Sequence, residues 1–361
     1  MESIQWKRNI ALTMLAAGCL AMACAQTTTD TTTSAAQELR DFVPITISPQ
    51  AQEIYHRLLP LVEAIRKTQK VPQAAAEFEA RYTDTIARAE PRAEAAVKAL
   101  GVTDTYKQMN GVGVLETIPP NYKDDGTVLI DVHGGGFVLD SARTSAGGDA
   151  MMAVLTGKRI LSVDYTVAPR GKWQLVTDQV VAVYKAVLAE GYDAKSIGMF
   201  GGSAGGDIVP ASVLKMRDQG IPLPGALVLM SPCVDLHLSG DTETTLAGAD
   251  PALSNREDIV AGFKVYADPA DWSNPYVSPI YGDFSKPFPP VLLQAGTKEI
   301  VLSDSVRLYQ ALKTHGHEAE LDVYEGMAHG FQAYMTDTPE QKAAYAEVQR
   351  FWLRHLQPTR R

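Results

Sequence analysis

The chain has 361 residues, 45% of them hydrophobic and 21% charged, with a formal net charge of −9 at pH 7. That length suits one large α/β domain with a smaller appendage, and the composition is ordinary for a soluble globular protein. An acidic balance offers no basic face for phosphate, which argues against a nucleic-acid partner.

In chain order, Lys7 and Arg8 precede an apolar stretch over 10–23, after which Ala23 and Ala25 flank Cys24. This pattern reads as a secretory signal peptide, 1–25, cut after Ala25, and implies a mature protein that is periplasmic or secreted. The stretch is too short for a stable membrane span. Cys19 and Cys24 follow small residues, so lipoprotein anchoring is the second reading, although neither has Leu three positions upstream. If both leave with the signal, Cys233 is the remaining thiol, without a disulfide partner and expected to be buried. Residues 26–36 are Thr-rich and read as a flexible linker.

Over 37–100, apolar residues such as Ile54, Leu58, Leu61, Val62 and Ile65 recur at helical spacing. Two or three helices are predicted, with a break near Pro72 and a stop at Gly101. We read 37–110 as an N-terminal helical cap segment that lies over a site built downstream, and 111–361 as the catalytic domain. Within the latter, strands are predicted at 128–132, 159–163, 197–200, 226–230, 291–294 and 320–324. Helices are predicted at 175–188, 208–216, 303–312 and 343–356. Strands alternating with helices imply right-handed crossovers and a mainly parallel sheet.

The sharpest signal is Phe200-Gly201-Gly202-Ser203-Ala204-Gly205-Gly206, set between a predicted strand and a predicted helix. A strand-to-helix turn this tight strains the serine backbone and projects its hydroxyl above the sheet near a helix N-terminus. A Gly-rich phosphate loop is the competing reading, but no Lys follows as in a P-loop and no later acid marks a ribose site. A nucleophilic serine needs a base and donors for an oxyanion. His329, in Gly326-Met327-Ala328-His329-Gly330-Phe331, is the candidate base. His133-Gly134-Gly135-Gly136, just after a strand, is a loop whose backbone N–H groups can approach a ligand oxygen.

Taken together, His133-Gly134-Gly135-Gly136, Asp164-Tyr165-Thr166-Val167-Ala168-Pro169, the Ser203 turn, Ser231-Pro232 with Asp235, and His329-Gly330-Phe331 resemble the hormone-sensitive-lipase-like esterases, bacterial family IV of the α/β-hydrolases. The resemblance covers residue 127 to the C-terminus. It implies an eight-stranded sheet with helices on both faces, a cap built partly from N-terminal helices, and no cofactor or metal. It also implies that Gly135, Gly136 and Ala204 donate the oxyanion-hole N–H groups, while His133 and Gly134 support that loop. The family places an acid after the penultimate strand. Glu299, directly after the strand, is assigned as the third triad member, with Asp304 as the alternate. Gly202 stands where the family usually has Asp or Thr, and Thr166 and Arg170 where it has Arg and Glu, which leaves acyl and alcohol preference open.

The expected activity is hydrolysis of short- to medium-chain carboxylic esters through an acyl-enzyme. Rivals are a lactonase or amidase using the same triad and a non-catalytic hydrolase-fold binding protein. The last would typically lose the serine or histidine, and this chain keeps both. No oligomeric state follows from the sequence.

Overall fold

A computed structural model of the chain describes residues 35–253 and 255–359. The region read as a signal peptide, including Cys19 and Cys24, lies outside them, as does the linker up to residue 34. Three N-terminal helices follow: α1 (Ala35–Asp41), α2 (Pro49–Thr68) and α3 (Ala75–Leu100). Ser48 caps α2 by accepting the Ala51 N–H, with Pro49 at the first helical position, and Gly101 ends α3 in the left-handed region at φ 67°. The chain then enters the sheet through a hairpin, β1 (Thr103–Met109) and β2 (Val112–Ile118), turned at Asn110 and Gly111, both with positive φ. The boundary placed at 110/111 from sequence therefore falls inside a hairpin, and β1 belongs to the sheet rather than to a cap segment.

The remaining elements alternate. They are β3 (Val128–Val132), α4 (Ala142–Thr156), β4 (Arg159–Asp164), α5 (Trp173–Ala189), β5 (Ile197–Gly202), α6 (Ala204–Asp218), β6 (Ala226–Met230), the short α7 (Thr242–Thr245), α8 (Arg256–Tyr266), β7 (Val291–Gly296), α9 (Leu302–Thr314), β8 (Ala319–Tyr324), the short α10 (Phe331–Tyr334) and α11 (Pro339–His355). The eight strands lie in the order β1-β2-β4-β3-β5-β6-β7-β8, with β2 antiparallel to both its neighbours, β1 and β4, and the six strands from β4 to β8 parallel to one another.

β3 and β7 are buried along their whole length, as a parallel sheet covered on both faces requires. One face packs Val180, Val183, Ile208, Val213 and Leu308 from α5, α6 and α9 onto the sheet. The other receives Met152 and Ala153 of α4 and Val348, Phe351 and Trp352 of α11. Between β3 and β5 successive connections leave in opposite directions. Such a switch point opens a crevice at the carboxyl ends of the strands.

The N-terminal helices are not a separable layer. Ile54, Tyr55, Leu58 and Leu59 of α2 form a third cluster with Met327, Ala328, Phe331 and Tyr334, and the buried Tyr55 Oη donates to the Gly326 carbonyl at 2.7 Å. Ala93 of α3 packs with Leu115, Ala142 and Ala146 on β2 and α4. Lys298 Nζ donates to the carbonyls of Arg40 and Phe42 at 3.0 and 2.6 Å. Burying this much shared surface makes α1–α3 part of the domain's own packing.

Candidate active site

The carboxyl ends of five parallel strands converge on one place. β5 delivers Ser203, which immediately precedes α6 with φ 55° and ψ −121°, a combination that costs a non-glycine residue backbone strain. The surroundings hold it there: Ser203 N–H donates to Met230 O at 2.9 Å, and Cys233 N–H donates to Ser203 O at 3.3 Å. The turn admits no side chain at position 205, where a Cβ would stand 1.8 Å from Val132 O. At Gly202, by contrast, a Cβ would meet Met230 O at an ordinary 3.6 Å, so the departure from Asp or Thr there is not forced by space.

β8 delivers the histidine. His329 Nε2 lies 2.8 Å from Ser203 Oγ, within hydrogen-bond reach. Its Nδ1 faces Glu299 Oε2 at 3.8 Å, too long for a hydrogen bond but an ion-pair distance, and neither buried atom has another partner among the described residues. The other oxygen of Glu299 accepts the Gly296 N–H at 2.6 Å and the Ser231 hydroxyl at 2.8 Å. Ser231, at the end of β6 with φ 49°, also accepts the Gly330 N–H at 3.0 Å, so one fully buried hydroxyl joins the acid to the residue after His329. Burial pushes the His329 pKa down. The Glu299 carboxylate, with help from Asp250, more than offsets this and leaves it above the ordinary histidine value.

β3 delivers the glycine loop. Gly135 and Gly136 both have positive φ (96° and 60°), and a Cβ on Gly135 would stand 2.4 Å from Leu139 O. The Gly135, Gly136 and Ala204 amides donate to no carbonyl or side chain among the described residues, and Ala204 is the first residue of α6. His133 is buried, stacked 4.0 Å from the Tyr165 ring, with Nδ1 at 3.0 Å from Gly134 O. The Tyr165 hydroxyl donates to the carbonyls of His133 and Gly134 at 3.1 and 3.2 Å. Burial pushes the His133 pKa down to about 4, so this imidazole is neutral and acts as a wedge behind the loop.

Ser203, His329, Glu299, Ala204 and the 133–136 loop are thus brought together. Asp304 is not. The alternate acid is buried in the first turn of α9, where one carboxylate oxygen accepts the Val234 and Asp235 N–H groups at 2.7 and 3.2 Å. Its chemistry is to anchor the chain after β6, and burial with the neighbouring acids Glu243 and Asp235 holds its pKa far above the carboxylate range. Asp235 pairs with Arg307 at 2.7 Å, away from the histidine. Arg170 stacks over the Tyr82 ring at 4.1 Å and reaches Glu79 at 3.4 Å, so its charge is engaged by α3.

A cavity of about 520 Å³, mostly apolar, opens above Ser203 and His329. Val62, Ile65 and Phe78 wall it from α2 and α3, and Leu253, Ile259 and Phe263 from the insertion between β6 and β7. That insertion was not singled out in the sequence. The ion pair Arg81–Asp258 at 2.7 Å joins the two walls.

The fold and this constellation define an α/β-hydrolase. The sequence profile of the alpha/beta hydrolase fold family Abhydrolase_3 matches residues 129–333. An esterase of Acinetobacter venetianus is 33% identical over 225 residues, 62% of this chain and 74% of that protein. An acetyl-hydrolase of Streptomyces hygroscopicus is 29% identical over 70% of this chain and 84% of its own. Among solved structures, esterase E25 superposes with a TM-score of 0.78 at 31% identity, covering 87% of this chain and 96% of that one. An esterase from the bacterial hormone-sensitive lipase family superposes with a TM-score of 0.73 at 28% identity, covering 87% and 100%. The chain belongs to the hormone-sensitive-lipase-like, bacterial family IV esterases of the α/β-hydrolase superfamily, and it is a carboxylic ester hydrolase.

Proposed function

We propose that the chain hydrolyses short- to medium-chain carboxylic esters with Ser203 as nucleophile, His329 as base and Glu299 as the acid that orients it. The observation that carries this reading is the 2.8 Å contact of Ser203 Oγ with His329 Nε2 on the floor of an apolar cavity. Ser203 Oγ attacks the ester carbonyl carbon as its proton passes to Nε2. The oxyanion is taken by the Gly135, Gly136 and Ala204 N–H groups. The alcohol leaves with the proton from Nε2, and water repeats the sequence on the acyl-enzyme. The chain-length preference follows from the bounded cavity over the serine, walled by Val62 and Ile65 of α2, Phe78 of α3 and Ile259 and Phe263 of α8.

The test is hydrolysis of p-nitrophenyl esters from acetate to palmitate, beside lactone and amide panels, with Ser203→Ala as control. Activity should peak at acetate to hexanoate, and Ser203→Ala should lose it together with labelling by a fluorophosphonate. An active Ser203→Ala protein overturns the assignment, and faster lactone or amide turnover overturns the substrate class. We also propose export, on the strength of the 1–25 pattern. Mass spectrometry of the mature N-terminus should find Gln26, and an intact Met1 in the cytosol overturns it.

A further inference from the structure

Asp250 lies in the insertion between α7 and α8 and has no exposed surface. One carboxylate oxygen accepts the N–H groups of Ala252 and Leu253 at 2.9 and 3.3 Å, two residues that wall the cavity. The other accepts the N–H of Ile300, the residue that follows Glu299, at 3.3 Å. A single buried carboxylate therefore ties the cavity wall to the peptide that carries the triad acid. Both sides of this tie are fixed in turn. Thr242 Oγ1 donates to Ile300 O at 2.7 Å, and Arg40 donates to Gly248 O at 3.0 Å, two residues upstream of Asp250.

The titratable and charged groups around it are Glu299 and Lys298 on the loop after β7, His329 on the loop after β8, Tyr55 of α2 and Tyr334 of α10. Lys298 directs its ammonium at the carbonyls of Arg40 and Phe42. No ion pair holds Asp250 among the described residues. Burial pushes its carboxyl up to about 6. His329 pulls it down and Glu299 adds to the rise. Above pH 7 the Asp250 carboxylate then adds its charge to the surroundings of His329, and charge at this depth is poorly screened.

We propose that Asp250 is a positioning residue of the esterase site, fixing the Glu299 peptide to the cavity wall and adding a second negative charge to the surroundings of His329. This rests on the reading of His329 as base and Glu299 as acid. A carboxylate that served the turn alone would leave the basicity of His329 untouched, and the two roles separate on a pH profile. An Asn side chain keeps one oxygen of similar placement and removes the charge.

The experiment measures kcat and KM for p-nitrophenyl acetate from pH 5 to pH 9 in the native protein, Asp250→Asn and Asp250→Glu, with fluorophosphonate titration to count folded sites. For Asp250→Asn the acid limb of kcat/KM should move to lower pH, because the charge that holds the imidazolium is gone. At pH 8 kcat should fall about tenfold with KM within about twofold, the mark of a group that acts on the reacting atoms through others. Asp250→Glu should restore the position of the limb. A folded Asp250→Asn protein whose limb stays where the native one lies overturns the proposal. If the native protein has no acid limb, the histidine reading fails and takes this inference with it. If the limb is present and unmoved, only the inference fails.

Discussion

Replacing Ser231 with Ala deletes one hydroxyl and leaves two groups stranded. The hydroxyl donates to the Glu299 carboxylate at 2.8 Å and accepts the Gly330 N–H at 3.0 Å, all without solvent contact at Ser231. A hydrogen bond to a charged group is worth about 1.5–3 kcal/mol, and an orphaned buried N–H costs about 1–3 kcal/mol. Their sum, discounted for local relaxation and because Gly330 is only partly buried, predicts a loss of about 3 kcal/mol in urea unfolding. Catalysis should suffer separately, because Glu299 keeps only the Gly296 N–H on that oxygen and is freer to turn from His329. A fall in kcat of about 10- to 100-fold is expected. Ser231→Gly makes the control: it strands the same groups but relieves the strain of φ 49°, so it should be about 1 kcal/mol more stable than the Ala variant with the same kcat. A Ser231→Ala protein with kcat within about twofold of native would refute the reasoning, since a loss that small is within solvent compensation of one bond.

Asp149 is buried, bonded to Ser162 and set beside Asp131, and burial pushes its carboxyl up to about 7. The unfolded chain loses this proton near pH 4, the folded chain only near 7, so native stability falls as pH rises through that window. Asp149→Asn should therefore match the native protein at pH 4 and exceed it increasingly in melting temperature up to pH 8; a constant offset at every pH would contradict this. Gly205→Ala should yield no folded protein, whereas Gly202→Thr should fold and keep esterase activity, as circular dichroism and phosphonate titration can show. Tyr55→Ala should cost about 3–5 kcal/mol and lower kcat as well, because the ring supports the loop that carries His329. Deleting residues 37–100 should abolish phosphonate labelling for the same reason, and a labelled deletion protein would show the segment to be dispensable after all.

The central sheet was legible because β3, β5, β6 and β7 are short apolar runs between turns, and a strand buried on both faces carries no other message. The Ser203 turn and the 133–136 loop were legible because only glycine fits where backbone meets backbone. The edge was not. β1 reads Thr-Asp-Thr-Tyr-Lys-Gln-Met, a polar strand half open to solvent, and its one strong signal, Asn110-Gly111 between two strand segments, is a turn rather than a period. α4 escaped because Gly147 and Gly148 lower its helix propensity, and it stands because Ala146, Ala150 and Ala153 are buried against its neighbours. Glu299 and Asp304, five residues apart, could not be separated by spacing. Only the path of the chain after β7 turns the first toward the histidine and the second, in the first turn of α9, toward the backbone after β6. Ser231 was visible only as part of the Ser231-Pro232 motif, with no role attached, and Asp250 carried no signal at all, since a lone aspartate in a loop most often serves a turn.

The contact between Tyr55 and Gly326 spans 271 residues of chain. A ribosome makes the first of these residues long before the second. Until the loop after β8 emerges, the apolar stripe of α2 has nothing native to rest on, and the histidine has not been made. The serine's turn can form once β3, β5 and β6, whose end supplies Met230 and Cys233, exist, but without that closing contact it is a hydroxyl on a half-built sheet. If His329 is the base proposed above, a chain truncated anywhere before residue 329 should be inert rather than partially active, and competence should arrive only near the end of synthesis.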